Sequence, residues 1–206
     1  MEPRPVTLTG RFVQLVPLHP GHLPRAKEIA LSGELFRWFP KEMHTPEDLD
    51  AYFAAAFQAQ QAGTELPFAT FERSSGLMVG GSRYLAIDRA NRHVEIGSTW
   101  IGKPWQRSAV NTEAKLLMLE HAFEKLGCLR VEFKTDSLNE PSRTALARLG
   151  AQQEGIFRNH MVTSSGRIRH SVWFSIIDSE WPRVKAGLQA KLDAGGSAQP
   201  QRQQQQ

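Results

Sequence analysis

Two loops and one strand hold the residues best suited to chemistry. The first loop, Gly102-Lys-Pro-Trp-Gln-Arg-Ser-Ala-Val-Asn111, opens into a long apolar-periodic helix. The first N–H groups of such a helix lack partners and lie at the positive end of its dipole, so they form an anion site that suits a pyrophosphate. Ser108 and Ala109 are small enough to let phosphate approach the backbone. An ordinary capped helix entry with no ligand accounts for the same spacing. The second loop, Asp136-Ser-Leu-Asn-Glu-Pro-Ser142, places Asn139 just before a shorter helix. Asn139 can cap that helix, or its amide can bind an amide of a ligand lying between two strands. The strand His93-Val-Glu-Ile-Gly-Ser-Thr-Trp-Ile101 carries a carboxylate, Glu95. Alternation puts Glu95, Gly97 and Thr99 on one face and Val94, Ile96 and Ser98 on the other. A carboxylate on a central strand is costly unless paired or wet. Glu95 is therefore either a general base acting through water or one half of a salt bridge to an arginine such as Arg83 or Arg92.

These segments need a scaffold. Arg11 to Leu18 alternates as a half-buried strand, and a helix is expected from His22 to Ser32, ending at Gly33. Thr45-Pro-Glu-Asp48 has the cap, the proline and the acidic first turn of a helix reaching about Gln61. Pro67 to Glu72 and Leu77 to Ile87 read as a hairpin across Ser74-Ser-Gly76. The strand His93–Ile101, a helix Arg107–Leu126 stopped by Gly127, and a strand Leu129–Asp136 form a βαβ unit with parallel strands and a right-handed crossover. A helix Pro141–Leu149 ends at Gly150. A hairpin, Gln152–Met161 with Arg167–Ile177, and a last helix capped by Asp178 or Ser179 complete the pattern. The expected architecture is one α/β (α+β) domain: a mixed, mostly antiparallel sheet of about seven strands, a central βαβ unit and helices on both faces. Ligands of such sheets bind outside the carboxyl ends of the parallel strands. That is the edge holding both loops.

Composition limits the alternatives. Forty per cent of the residues are hydrophobic, enough for one soluble core over about residues 1–192, and 193–206 forms a Gln-rich tail expected to be disordered. No apolar run reaches the roughly 20 residues of a membrane span, and the N-terminus lacks a signal-type apolar region. The net charge of +4 is spread without a run of five or six like charges, which argues against nucleic-acid binding. The single Cys128 excludes an internal disulfide and a cysteine-based zinc site, and the seven histidines show no H-x-x-x-H spacing, so no metal is expected. A reducing cytoplasm fits these features. Cys128 reads as a small buried hydrophobe, and Trp38, Phe39 and Tyr84 as core or acceptor-pocket aromatics. Arg158, His160 and His170 lie on the last hairpin as solvated charge or as readers of an acidic acceptor.

Taken together, Glu95-Ile-Gly97, Trp105-Gln106 to Glu113-Ala114, Asp136 to Ser142 and Arg148-Leu-Gly-Ala151 resemble the GNAT superfamily of N-acetyltransferases, and within it the RimJ/RimL-like ribosomal-protein acetyltransferases. The resemblance runs from about Leu8 to Leu192. It implies the GNAT fold, acetyl-CoA as co-substrate and no metal. It also implies direct acetyl transfer to a primary amine, of a protein N-terminus or a small molecule, within a ternary complex. The family's phosphate loop reads Gln/Arg-x-x-Gly-x-Gly/Ala. Gln106 matches it, while Ala109 and Asn111 replace the usual small residues. These two departures motivate the alternative of a degenerate acyl-CoA-binding regulatory domain. By the resemblance, pantetheine lies along the backbone near Trp100 and Ile101, where the two parallel strands splay. Pyrophosphate rests on Gln106, Arg107, Ser108, Ala109, Val110 and Asn111, and Asn139 bonds the pantetheine arm. Glu95 is the candidate base and Ser142 the candidate donor to the leaving thiolate. A homodimer is a common outcome for such domains.

Overall fold

A computed structural model describes residues 1–196 and contains an eight-stranded mixed sheet in the order β1-β2-β3-β4-β5-β6-β8-β7. The strands are β1 (Leu8–Thr9), β2 (Val13–Pro17), β3 (Leu66–Glu72), β4 (Met78–Asp88), β5 (His93–Ile101), β6 (Arg130–Asp136), β7 (Gln152–Val162) and β8 (Ile168–Ile177). The helices are α1 (Leu23–Ala30), α2 (Pro46–Gln61), α3 (Ala109–Glu120), α4 (Glu140–Leu149) and α5 (Trp181–Gly196). Among the described residues only β5 and β6 pair in parallel; the other pairs are antiparallel. The extra strand, β1, is two residues long, too short for alternation to reveal.

The apolar residues sort onto two faces. Val13, Leu15, Val94, Ile96, Val131 and Phe133 pack against Met118 and Leu119 of α3 and Val184 and Leu188 of α5. On the other face Ala69, Met78 and Trp100 pack against Ala26 and Ile29 of α1 and Leu49 and Phe53 of α2. Local signals work where they are self-contained. Thr45 and Asp48 form a reciprocal capping box at α2, and Gly127 and Gly150 end their helices with φ of 68° and 102°.

Other boundaries differ from expectation. The first helix begins as a 3-10 turn at Pro20–His22, and its α part ends at Ala30. The long helix starts at Ala109 rather than Arg107, because Arg107 has φ of 58°, outside helical space. It continues past Glu120 as a π turn, His121–Lys125. Just before that turn the Tyr84 hydroxyl donates to the Met118 carbonyl at 2.6 Å, and such an intrusion into the helical ladder accompanies π bulges. Tyr84 is thus a core residue, fully buried. Cys128 is buried too, and burial pushes its thiol up to about 11. The last helix runs through Asp193–Gly196, the first four residues assigned to the tail; the rest of the tail lies outside the described residues. Its first N–H, of Trp181, bonds the Asp178 backbone carbonyl. No helix among the described residues is long and apolar enough to cross a membrane.

A buried carboxylate fastens the turn into β2 to the site helix. Glu113 of α3 accepts backbone N–H bonds from Arg11 (2.8 Å), Phe12 (2.6 Å) and Val13 (2.7 Å). A Cβ at Gly10 would collide with this carboxylate, so glycine is required there. Charge-assisted bonds to buried N–H groups are strong, and their loss leaves three donors unsatisfied. Glu113→Ala is therefore expected to destabilise the fold by about 3–5 kcal/mol in chemical denaturation.

Candidate active site

β5 and β6 pair only at His93↔Arg130, Val94↔Val131 and Glu95↔Glu132. Beyond that point β5 pairs only with β4, and β6 only with β8. The strands part toward their carboxyl ends and leave two facing edges of unpaired backbone. β5 then leads into the Gly102–Ser108 turn and α3, and β6 into Ser137–Asn139 and α4. Two helix N-termini thus flank one gap. This is the splay expected from the resemblance.

Its mouth is built from local hydrogen bonds and helix caps. Gln106 Nε2 donates to the Ile101 carbonyl at 2.9 Å, which holds the turn against the strand and occupies that carbonyl. Ser108 caps α3, its Oγ donating to the Trp105 carbonyl at 2.6 Å and accepting from Val110 N–H at 3.3 Å. The Val110 amide is therefore shared, and its side chain is in the core. Ala109 is the first helical residue; the left-handed position is Arg107, so backbone conformation demands no glycine at 109. The side-chain oxygen of Asn111 is buried without a partner. Asn139 does cap α4, Oδ1 accepting from Ser142 N–H at 3.2 Å. Ser142 is half-buried in the first turn of α4.

A bulge corrects the expected faces of β5. Between the pairs Gly97↔Arg83 and Trp100↔Gly81, two residues of β5, Ser98 and Thr99, stand opposite one of β4, Ser82, and Ser98 has φ of 47°. Side-chain alternation therefore reverses at Ser98, which lies toward Tyr52 of α2 rather than with Ile96. Trp100 packs with α1 and α2, Ile101 packs with the α3 face, and the Thr99 hydroxyl meets Lys115 of α3. Thr99 is on the opposite face from Glu95. Gly97 stays beside Glu95, and a Cβ there would stand 2.9 Å from its Oε1 and 2.7 Å from Leu85.

Glu95 is 7% exposed and pairs with Lys134 of β6 at 3.2 Å. The expected arginines are elsewhere: Arg83 pairs with Glu65 at 3.0 Å and stacks on Tyr52, and Arg92 is exposed. Burial raises the Glu95 pKa, and the Lys134 ammonium opposes that rise. On the same face Lys134 lies over the Trp173 ring at 5.4 Å. Phe157 stacks on Trp173 at 4.0 Å, and His160 meets Trp173 edge-on at 4.8 Å. Asp136, fully buried, pairs with Arg167 at 2.6 Å, and Arg169 reaches the Trp38 carbonyl at 3.0 Å. His170 Nδ1 accepts from Asn159 N–H, and Phe39 packs edge-on to Phe36 and Tyr52. The sequence reading missed Lys134 and the Asp136–Arg167–Arg169 group. Alternation along β6 puts Glu132, Lys134 and Asp136 together, but which strand lies beside them is a property of the fold.

The Glu95–Lys134 pair is directly testable. Lys134→Met removes the main influence that opposes burial at the carboxylate, so an NMR titration of Glu95 is expected to move to higher pH; an unchanged midpoint would mean that Lys134 does not hold it.

Comparisons with known proteins agree with this architecture. The model of the acetyltransferase (GNAT) domain matches residues 13–152. A GCN5-related N-acetyltransferase from Brucella melitensis superposes with a TM-score of 0.86 at 33% identity, covering 95% of this chain and 91% of that one. Mycobacterium smegmatis RimJ, solved in complex with CoA-disulfide, shares the fold with a TM-score of 0.78 at 24% identity, over 91% of this chain and 95% of that one. YdaF of Bacillus subtilis (strain 168), provisionally named a ribosomal N-acetyltransferase, is 33% identical over 99 residues, 48% of this chain and 53% of YdaF. The chain spans about half to two thirds of the length of the curated relatives it matches. With two thirds of its length matched by the family model and the family's fold almost throughout, this chain belongs to the GNAT acetyltransferase family.

Proposed function

We propose that this protein transfers the acetyl group of acetyl-CoA to a primary amine by direct attack in a ternary complex, the amine being a protein N-terminus or a small-molecule amine. The observation that carries this reading is the open gap between β5 and β6, with two helix N-termini at its mouth and a buried carboxylate where the strands part. Pantetheine pairs with the β5 backbone at Trp100, upstream of the Ile101 carbonyl that Gln106 already holds. The pyrophosphate takes the amides of Arg107, Ser108, Ala109 and Asn111. The Asn139 side-chain oxygen is engaged in capping, so its amide nitrogen is the donor left for a pantetheine carbonyl.

The chemistry follows from these placements. A free α-amino group has a pKa of about 8 and a lysine about 10.4, so a base aids attack at neutral pH. Glu95 takes the proton through a water, and Lys134 favours the ionised carboxylate against the effect of burial. The amine nitrogen bonds to the thioester carbon, and N–H groups on the β5 edge stabilise the oxyanion. The C–S bond then breaks, and the CoA thiolate takes a proton from the Ser142 hydroxyl, which recovers one through water as the attacking nitrogen loses its proton to become an amide. The name of YdaF, a ribosomal N-acetyltransferase, favours an amine of a protein among the acceptors. A degenerate domain is less well supported, since Ala109 sits in ordinary helical backbone.

Calorimetric titration with acetyl-CoA, followed by thiol release against free-amine peptides, blocked lysine peptides and polyamines, tests the reading. Saturable binding with release is expected. Binding without release from any amine would favour the degenerate domain, and no binding at millimolar acetyl-CoA would sink both. Because Glu95 acts only when ionised and the amine loses its own proton as pH rises, Glu95→Gln is expected to lower turnover at pH 7 and to matter less at high pH. A loss independent of pH would remove Glu95 from the proton transfer.

A further inference from the structure

α3 carries a lysine where its core face should be apolar. Lys115 is 7% exposed and lies between Ala114 and Leu116, both buried. Its Nζ donates to Thr99 Oγ1 at 2.6 Å and to Ser82 Oγ at 3.3 Å. These two hydroxyls are 2.8 Å apart, and Ser82 Oγ reaches the Gly97 carbonyl at 3.4 Å. Among the described residues no carboxylate forms an ion pair with Lys115. Burial alone drives its ammonium down to about 7.

Such an arrangement is expensive as a means of stability. A buried cation without an anion loses hydration that two neutral hydroxyls replace only in part, and an apolar side chain of similar length would fill the same space at lower cost. What Lys115 touches is informative. Thr99 reaches it only because the Ser98 bulge reverses the alternation of β5. A non-glycine residue in the left-handed region needs surroundings that hold it there. Thr99, Ser82 and Lys115 close around the bulge from β5, β4 and α3. Lys115 is also six residues beyond Ala109, about 9 Å along the helix from the amides assigned to pyrophosphate. It therefore joins the phosphate end of α3 to the stretch of β5 that borders the gap.

We infer that Lys115 is a positioning residue for acyl transfer: through Thr99 and Ser82 it locks the Ser98 bulge, and so sets the direction of the unpaired β5 backbone groups relative to the N-terminus of α3. The inference rests on the acetyl-transfer reading for its consequence but not for its geometry. The backbone that receives the acetyl carbonyl is aimed by this tether, whereas most contacts to the cofactor lie elsewhere. Loss of the tether should therefore weaken catalysis more than cofactor binding.

Lys115→Met removes the ammonium and nearly preserves length, and Thr99→Val removes the hydroxyl that it holds. For each variant, melting temperature, acetyl-CoA Kd by calorimetry, kcat with a free-amine peptide and amide exchange at Ser98 to Trp100 in the free protein are measured. Lys115→Met is expected to melt at or above the wild-type temperature, with kcat down about tenfold or more and Kd within about threefold. Exchange at Ser98 to Trp100 is expected to quicken, and Thr99→Val to change in the same direction. A folded Lys115→Met protein with wild-type kcat and wild-type exchange would overturn the inference. So would a lowered melting temperature with kcat and affinity falling in proportion, the mark of general damage. If Lys115→Met does not fold, the same readings on Thr99→Val decide. If the wild type itself transfers no acetyl group, the acetyl-transfer reading fails, and the exchange measurement still decides whether the tether exists.

Discussion

The structure turns on a sheet that is not allowed to close. In a regular parallel pair, β5 and β6 would continue bonding past Glu95 and Glu132, and no ligand could enter. Backbone N–H and C=O groups near the centre of a sheet are costly to leave unpaired, so an interruption there must be imposed and supported. The support is visible around the gap. Gln106 bonds the Ile101 carbonyl, a bulge at Ser98 turns the end of β5, and separate helices draw the two strand ends into different paths. An extended amide-bearing chain such as pantetheine meets the same backbone need that a missing strand would.

Much of the scaffold is legible in the sequence because its signals are local. The capping box at Thr45, the helix stops at Gly127 and Gly150 and the strand His93–Ile101 need no tertiary information. Both loops around the gap follow from the order strand, helix, strand. The Ser98 bulge does not follow, because Ser98 has no intrinsic preference for positive φ and adopts it within contacts from three elements. The reversal of faces at Thr99 and Trp100 follows from that one residue. Glu95 was legible as a carboxylate needing a partner, but Lys134 is 39 positions away and becomes its neighbour only through the β5–β6 register. Lys115 did leave a signal, a cation set between the apolar Ala114 and Leu116 of α3, though not its reason.

Electrostatics divide the site into two unlike halves. The half proposed for the cofactor offers backbone dipoles: the first amides of α3 and α4, with Ser108 and Asn139 as caps. The opposite half is built from charged and aromatic side chains. There Glu95, Lys134, Trp173 and Phe157 follow one another across β5, β6, β8 and β7, beside the Asp136–Arg167 pair. Burial opposes the charged forms of Glu95, Arg169 and His160 alike. Proton positions on this face therefore depend strongly on what covers it.

The central claim is that the unpaired edge of β5 and the first turn of α3 form one acetyl-CoA site. Amide hydrogen exchange of the full-length protein, with and without saturating acetyl-CoA, tests it most directly. Protection should appear together at Ile96 to Trp100 and at Arg107 to Asn111, with the α1 and α2 region little changed. Protection elsewhere with these two segments unaltered, or no protection at millimolar acetyl-CoA, would contradict it.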